Sequence, residues 1–306
     1  MNIVQTNVPY NSTVLRRNLI FLTRKYPFLN VQIIGNSVLG NNIYAIKLGK
    51  GPKKVFYSGS IHGNEWITST LLMKFIEDYC DSYVSDKKLY NYSIKSLFDS
   101  ASIFVVPMIN PDGVDLVTNN LFKNSAGYRK ALAISQDFPS IPFPDGWKAN
   151  INGVDLNLQF PALWENAKRI KEAQGFNKPA PRDFVGEGPL TEPEALAIYN
   201  FTLTHNFDLI LSYHTQGKEI YWNFQNITPP NSYNIGRKLE QLSGYRLANV
   251  PYNSSFAGYK DWFIQDFNKP GYTIEAGLGE NPLPISQFDE IYQDNIGMLV
   301  LSPTFI

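Results

Sequence analysis

Histidine occurs only three times in 306 residues, as His62, His205 and His214, so chemistry that needs imidazole has few residues to draw on. Cysteine occurs once. A lone Cys80 excludes an intrachain disulfide, and its place in an apolar helical stretch reads as a buried thiol rather than a nucleophile. An excess of either sign of charge is missing too. The 27 Lys and Arg balance the 27 Asp and Glu, which removes any net pull toward nucleic acid or an anionic membrane. Long apolar runs are absent. Leu19-Ile20-Phe21-Leu22 is bounded by Asn18 and by Thr23-Arg24-Lys25, and reads as part of an amphipathic helix, with no signal peptide and no membrane span. The expected location is therefore cytoplasmic. No internal repeat, low-complexity tract or charge block divides the chain.

What is present suits a globular protein: 43% of residues are hydrophobic and 18% charged, too apolar for disorder. Asn11-Ser12-Thr13 offers an N-cap for a helix over Val14 to Tyr26, ended by Pro27. Strands are expected over Val31 to Ile34 and Ile43 to Leu48, around a turn at Gly40-Asn41-Asn42. Val55 to Tyr57 begins as a strand and breaks at Ser58-Gly59-Ser60. From about Ile67 a helix follows, with Leu71, Leu72, Phe75, Ile76 and Tyr79 at helical spacing. Ala101 to Met108 is another strand, halted by the turn signal Asn110-Pro111-Asp112-Gly113. Residues 119 to 150, with Pro139, Pro142, Pro144 and Gly146, read as a long surface loop, and residues 173 to 188 as a second excursion. Thr191 and Glu194 suggest a capping box for a helix to about Thr204. Further strands are expected over Asp208 to Tyr213, Ile220 to Asn223 and Tyr272 to Glu275, and helices over Tyr233 to Leu242 and Gln287 to Leu301. This alternation predicts one α/β domain over residues 1–306, with a mixed, mostly parallel sheet flanked by helices.

His62 and Glu65 stand three residues apart in the turn between the Val55 strand and its helix. An imidazole and a carboxylate that close can share a metal ion, although the pair alone also suits a solvated turn with an acid at a helix N-terminus. Their placement matters, because ligands of open α/β sheets bind outside the carboxyl ends of strands. His214 follows a buried strand as His62 does, and Glu275 ends another. Three strand ends then supply two histidines and a carboxylate, with Glu65 beside the first. That is enough for a His-Glu-His zinc site plus a general base. His205 lies at a helix end and reads as a capping or surface group.

These residues carry a family resemblance. His62-Gly63-Asn64-Glu65-Trp66 resembles the first ligand motif of the zinc carboxypeptidases, and His214 their third ligand. Gly153-Val154-Asp155-Leu156-Asn157 resembles their substrate-binding turn, and Thr273-Ile274-Glu275 their catalytic glutamate. The resemblance spans roughly Val55 to Glu275. It implies one zinc ion per chain on His62, Glu65 and His214, with Glu275 moving protons.

The departures are informative. In carboxypeptidases proper an arginine follows the asparagine of the turn and clamps the substrate's terminal carboxylate. Here Leu158 follows Asn157 and cannot pair with a carboxylate. The residue before the glutamate ligand is often arginine, and here it is Asn64. An arginine after a tryptophan helps stabilise the oxyanion, whereas Lys148 follows Trp147, keeping the charge and losing the bidentate fork.

Together WKANINGVDLNLQFP, SYHTQGKEIYW, AGYKDWF and TIEAGLGENPLP resemble the γ-D-glutamyl-L-diamino acid endopeptidases. Those enzymes cut bacterial cell-wall peptides between γ-D-glutamate and diaminopimelate or lysine. The resemblance implies a peptidoglycan-derived peptide as substrate, with Lys148 at the oxyanion and Asn157 holding a polar group. It also implies Tyr252 as a mobile cap and Lys260 at the position that sets side-chain specificity, although Lys260 also suits a plain surface lysine. Some relatives carry cell-wall-binding modules ahead of the catalytic domain. With the fold beginning near Asn11, the expectation is action on soluble muropeptides or during sporulation. A non-catalytic muropeptide-binding protein and a deacylase of small acyl-amino acids are the alternatives. Oligomeric state and the choice of diamino acid stay open.

Overall fold

Alternation of side chains along four buried strands organises the molecule, a computed structural model that describes residues 2–306. In chain order the elements begin with α1 (Ser12–Lys25), β1 (Asn30–Asn36), β2 (Asn42–Gly49), β3 (Lys53–Ser58) and α2 (Ile67–Val84). A small hairpin, β4 (Lys88–Leu89) and β5 (Tyr92–Ser93), leads into α3 (Ile94–Ser100), β6 (Ala101–Val106), α4 (Pro111–Val117) and α5 (Ala126–Gln136). Then come α6 (Trp164–Ala173), α7 (Pro193–His205), β7 (Leu209–His214), β8 (Glu219–Tyr221) and α8 (Ser232–Ser243). The chain ends with β9 (Arg246–Ala248), α9 (Tyr259–Phe267), β10 (Gly271–Glu275) and α10 (Phe288–Leu301). Among the described residues no helix is long and apolar enough to cross a membrane.

One eight-stranded sheet has the order β1-β2-β6-β3-β7-β10-β8-β9. Its centre, β6-β3-β7-β10, is parallel, while β1, β2 and β8 join their neighbours toward the centre antiparallel. The central strands are buried on both faces, as parallel strands covered by helices must be. Val55, Tyr57, Ile103, Val105, Leu209 and Leu211 point to one face, toward Leu71, Phe75 and Ile76 of α2 and Met298 of α10. Phe56, Phe104 and Ile210 point to the other, toward Ile198 and Phe201 of α7 and Phe263 of α9. Phe56 stacks on Phe207 at 4.9 Å and meets Tyr259 edge-on at 5.8 Å. Burying a side chain of this kind contributes roughly 1.5–3 kcal/mol. Cys80 is buried in α2, as its surroundings predict.

Several local expectations change. Asn110-Pro111-Asp112-Gly113 opens helix α4: the Asn110 side chain caps the Gly113 N–H at 2.9 Å, and Pro111 takes the first turn, where its missing N–H costs nothing. The stretch 119–150 is not all loop, since it contains α5. Ser125 caps α5, and its buried residues, Gly127, Ala131 and Ser135, are small, so they leave no hydrophobic period to read. Helix α6 escapes notice for a similar reason, because one of its buried positions is Lys171. The capping box at Thr191 does not form. The Thr191 hydroxyl donates to Gln159 Oε1 at 3.1 Å, and Glu194 accepts from the Val38 N–H at 3.1 Å.

Candidate active site

The carboxyl ends of β3, β7 and β10 lie side by side at the middle of the sheet. Register pairs Ser58 with Ser212, and His214 with Glu275. Beyond β3 the chain turns through Ser60, whose φ of 47° places it in the left-handed region. That conformation is held by the start of α2: the Thr68 hydroxyl accepts the Ser60 N–H at 2.8 Å, and the Ser60 and Ser69 hydroxyls meet at 2.7 Å. A 3₁₀ turn, Gly63–Glu65, then presents His62 and Glu65.

Two glycines allow this turn to sit where it does. A Cβ on Gly63 would lie 2.6 Å from the carbonyl carbon of Gly113, so the 3₁₀ turn and α4 touch backbone to backbone. Asn110 binds the neighbouring segments together. Its amide donates to the Ala149 carbonyl at 2.9 Å and to those of Ile61 and Lys148 at 3.3 Å. The Gly63 N–H donates to the Lys148 carbonyl at 3.0 Å.

His62, Glu65 and His214 are all buried, and their ligand atoms lie within 4.8 Å of one another. Glu65 uses both oxygens: Oε1 lies 2.9 Å from His62 Nδ1, and Oε2 lies 3.0 Å from His214 Nδ1. Two imidazole nitrogens and a carboxylate thus converge on one point. This is a donor set that suits zinc and leaves an open position beyond three protein ligands. Burial works against charge on His62, but the carboxylates of Glu65 and Asp155 more than offset it and raise its pKa to about 9. Burial also opposes the Glu65 charge, yet His62, Lys148 and His214 hold its carboxyl well below the usual range.

Glu275 stands outside the ligand cluster and lines the same cleft. Burial, with the Glu65 charge added to it, raises its pKa against the pull of His214 and Lys148. Lys148 places Nζ 2.9 Å from Glu65 Oε1. Burial disfavours its charge, and Glu65 overcomes that, raising its pKa. Asn157 lines the cleft with its Oδ1 committed to the Tyr259 N–H at 3.1 Å, which leaves its amide N–H groups for a ligand. Leu158 packs in a small apolar cluster with Trp164, Val185 and Phe256.

Lys260 is no surface lysine. It is 4% exposed, donates to the Asn223 carbonyl at 2.6 Å and pairs with Asp261 Oδ1 at 2.6 Å, at the wall of the cleft. Tyr252 stands on the rim, 62% exposed, with its ring edge-on to Phe256; Phe256 lines the cleft and Tyr252 does not. His205 is remote from the site, its ring stacked on Phe207 and Nδ1 2.9 Å from the Phe201 carbonyl.

The structure gives a role to Asp155, which the sequence offers only as part of the Gly153–Asn157 turn, and adds residues that the sequence does not single out. Asp155 Oδ1 lies 3.0 Å from His62 Nε2, and Asp155 Oδ2 accepts the Asp183 N–H at 3.2 Å. Arg182, in the excursion after α6, lines the cleft beside Lys148, and its Nε donates to Asp183 Oδ2 at 2.6 Å. Lys171 pairs with the other oxygen of Asp183. The signal in the sequence was an Arg-Asp pair inside a Pro-flanked apolar stretch, Ala180-Pro181-Arg182-Asp183-Phe184. The cleft has two arms that share Lys148, Arg182, Tyr221 and Glu275, with volumes of about 250 Å³ and 580 Å³. The larger arm runs past Asn64, Ile141 and Asn281.

Known proteins resemble this chain in sequence and in fold. The model of a family described as zinc carboxypeptidase matches residues 16–297. The γ-D-glutamyl-L-diamino acid endopeptidase 1 of Lysinibacillus sphaericus is 43% identical over 291 residues, covering 95% of this chain and 71% of that protein. The uncharacterized protein YqgT of Bacillus subtilis is 40% identical, covering 95% and 76%. Among solved structures, the carboxypeptidase A of Helicoverpa armigera superposes with a TM-score of 0.72 at 18% identity, over 98% of this chain and 74% of that one, a likeness of fold. The sheet, the two imidazoles and carboxylate at its centre, and a family match over most of the length lead to one conclusion: the chain belongs to the zinc carboxypeptidase family of zinc-dependent metallopeptidases.

Proposed function

We propose that this chain hydrolyses the amide between γ-D-glutamate and a diamino acid, diaminopimelate or lysine, in peptides derived from the bacterial cell wall. The observation that carries the reading is Leu158. Where a carboxypeptidase proper would hold an arginine for the terminal carboxylate, hydrocarbon is packed against Trp164 and Phe256. The relative that shares 43% identity bears the name of such an endopeptidase, which supports the same reading.

His62, Glu65 and His214 would hold the zinc ion. Bound there, zinc supplies Lewis acidity, polarising a carbonyl oxygen and acidifying water. The chain's own residues do the rest. Asp155, on Nε2 of His62, fixes the ring so that Nδ1 faces the ligand cluster. Glu275 takes the proton of the attacking water and returns it to the departing amine, from a position in the cleft outside the ligand cluster. Lys148 stabilises the oxygen that gains charge at the scissile carbonyl. Asn157 donates to a polar group of the substrate, Lys260, held by Asp261 and the Asn223 carbonyl, forms the cleft wall at the position that sets side-chain specificity, and Tyr252 caps the cleft from the rim.

A binding protein that has lost catalysis would be expected to lack a ligand or the base, and all four groups stand in place here. A small-substrate deacylase has no use for two arms, so the cleft favours a peptide. The test is zinc analysis together with hydrolysis of L-Ala-γ-D-Glu-diaminopimelate beside an ordinary α-linked L-peptide. Cleavage of the γ-linked bond supports the reading. Rapid loss of C-terminal residues from the α-linked peptide, with the γ-linked bond intact, refutes it.

A further inference from the structure

Four cations line the catalytic arm of the cleft: Lys148, Lys171, Arg182 and Lys260. Three have their charge committed. Lys148 is on Glu65, Lys171 on Asp183, and Lys260 on Asp261 and the Asn223 carbonyl. Arg182 is different. Only its Nε is used, by Asp183, and among the described residues neither Nη atom has a hydrogen-bond partner. A guanidinium carries five N–H donors in a fixed fork, and the outer edge of this one is free. The side chain is 44% exposed and borders both arms of the cleft, at their junction.

The backbone around Arg182 is fastened on both sides. The Pro181 carbonyl accepts the N–H groups of Lys148 and Ala149 at 2.8 and 2.9 Å, which seats Arg182 next to Lys148. On the other side Asp183 adopts a φ of 66°, in the left-handed region, and its N–H is held by Asp155, the same carboxylate that orients His62. Arg182 is thus a preorganised cation tied to the ligand shell.

Given the proposed reaction, on which this inference rests, the substrate has a carboxylate to offer here. A γ-linked glutamate presents its side-chain carbonyl for hydrolysis and keeps its α-carboxylate free, a short carbon chain away on the acyl side. With Lys148 at the scissile carbonyl, the next free cation is Arg182. We propose that the Nη edge of Arg182 binds the α-carboxylate of the γ-D-glutamyl residue, so that the enzyme selects peptides bearing that free acid over those in which it is an α-carboxamide. A neutral amide cannot accept the bidentate pair, and its NH₂ group would face donors.

The experiment compares kcat/KM of the zinc-loaded full chain on L-Ala-γ-D-Glu-diaminopimelate and on the same peptide with the glutamyl α-carboxylate amidated. A hydrogen-bonded charge pair of this kind corresponds to roughly a ten- to hundredfold preference for the acid. Arg182→Gln should slow the acid peptide by about that factor more than it slows the amidated one, so that the preference between the two peptides is lost, and Arg182→Lys should restore part of the preference. Equal cleavage of both peptides by the unaltered enzyme overturns the proposal, and this measurement stands even if the variants fail to fold. A loss in Arg182→Gln that is equal on both peptides also overturns it, and assigns the guanidinium to the scissile carbonyl. Cleavage of neither peptide by the zinc-loaded enzyme overturns the reaction itself, and the inference with it.

Discussion

Oδ1 of Asp155 lies 3.0 Å from Nε2 of His62, on the side of the ring away from Glu65. Both groups are buried. Burial opposes the Asp155 charge, but His62 and then Lys148 outweigh it and hold the carboxyl well below its usual range. The carboxylate therefore stays charged, and it fixes both the tautomer and the angle of the imidazole.

Asp155→Asn should keep the shape and lose this control. Outer partners of a metal-bound histidine typically carry about 10–100-fold in metal affinity, so zinc should bind that much more weakly while the fold is kept. Competition with a chromophoric chelator measures it. An unchanged affinity would show that His62 is oriented by packing alone.

Glu275→Gln should retain zinc and lose turnover. General acid–base catalysis contributes roughly 10²–10⁴-fold, and hydrolysis should fall by that factor. Metal content and rate belong on the same preparation. Loss of zinc along with activity would make Glu275 a ligand, against its place outside the cluster.

Gly63→Ala should damage the metal site through the backbone. The new Cβ would meet the Gly113 carbonyl carbon at 2.6 Å, and backbone gives way less easily than a side-chain tip. The 3₁₀ turn must shift, taking His62 and Glu65 with it. Zinc affinity should fall more than thermal stability, and full zinc retention with an unchanged Kd would contradict the contact.

Glu194 predicts a pH dependence of stability. Burial raises its pKa from 4.5 to about 7, against hydrogen bonds from the Val38 backbone and Asn150. Below pH 4.5 both folded and unfolded chains hold the proton, and Glu194 contributes no difference. Between 4.5 and 7 only the folded chain keeps it, so stability falls as pH rises, to a full cost of about 3 kcal/mol above 7. Glu194→Gln should remove that slope. Denaturant midpoints at pH 5 and pH 8 for both proteins provide the test, and identical slopes would exclude Glu194 as the source.

The fold was legible because it rests on strong local signals, whereas the ligand set was legible through its resemblance to the zinc carboxypeptidase motifs. Val55, Phe56 and Tyr57 read as a strand, Leu71 through Tyr79 keep helical spacing, and His62 and His214 each stand at a strand end. Helices α5 and α6 were not legible, since Ala131, Ser135 and Lys171 bury small or charged side chains that carry no apolar period. Arg182 was hidden for another reason. Its neighbours in space, Lys148 and Asp155, are separated from it in sequence, and only the Pro181 and Asp183 backbone contacts bring them together.

The sheet order has a consequence for how the protein acquires its metal. Strand β7 is inserted between β3 and β10, so the two halves of the ligand set meet across a pairing that closes late in the chain. Glu65 and His214 are 149 residues apart. Contacts at such separation form slowly, after their loop-closure entropy has been offset. Until β7 docks, His62 and Glu65 offer zinc a two-residue foothold, and affinity should rise steeply when His214 arrives. Metal loading then requires the β3–β7 pairing, and the rate of zinc uptake during refolding should report when that pairing has formed.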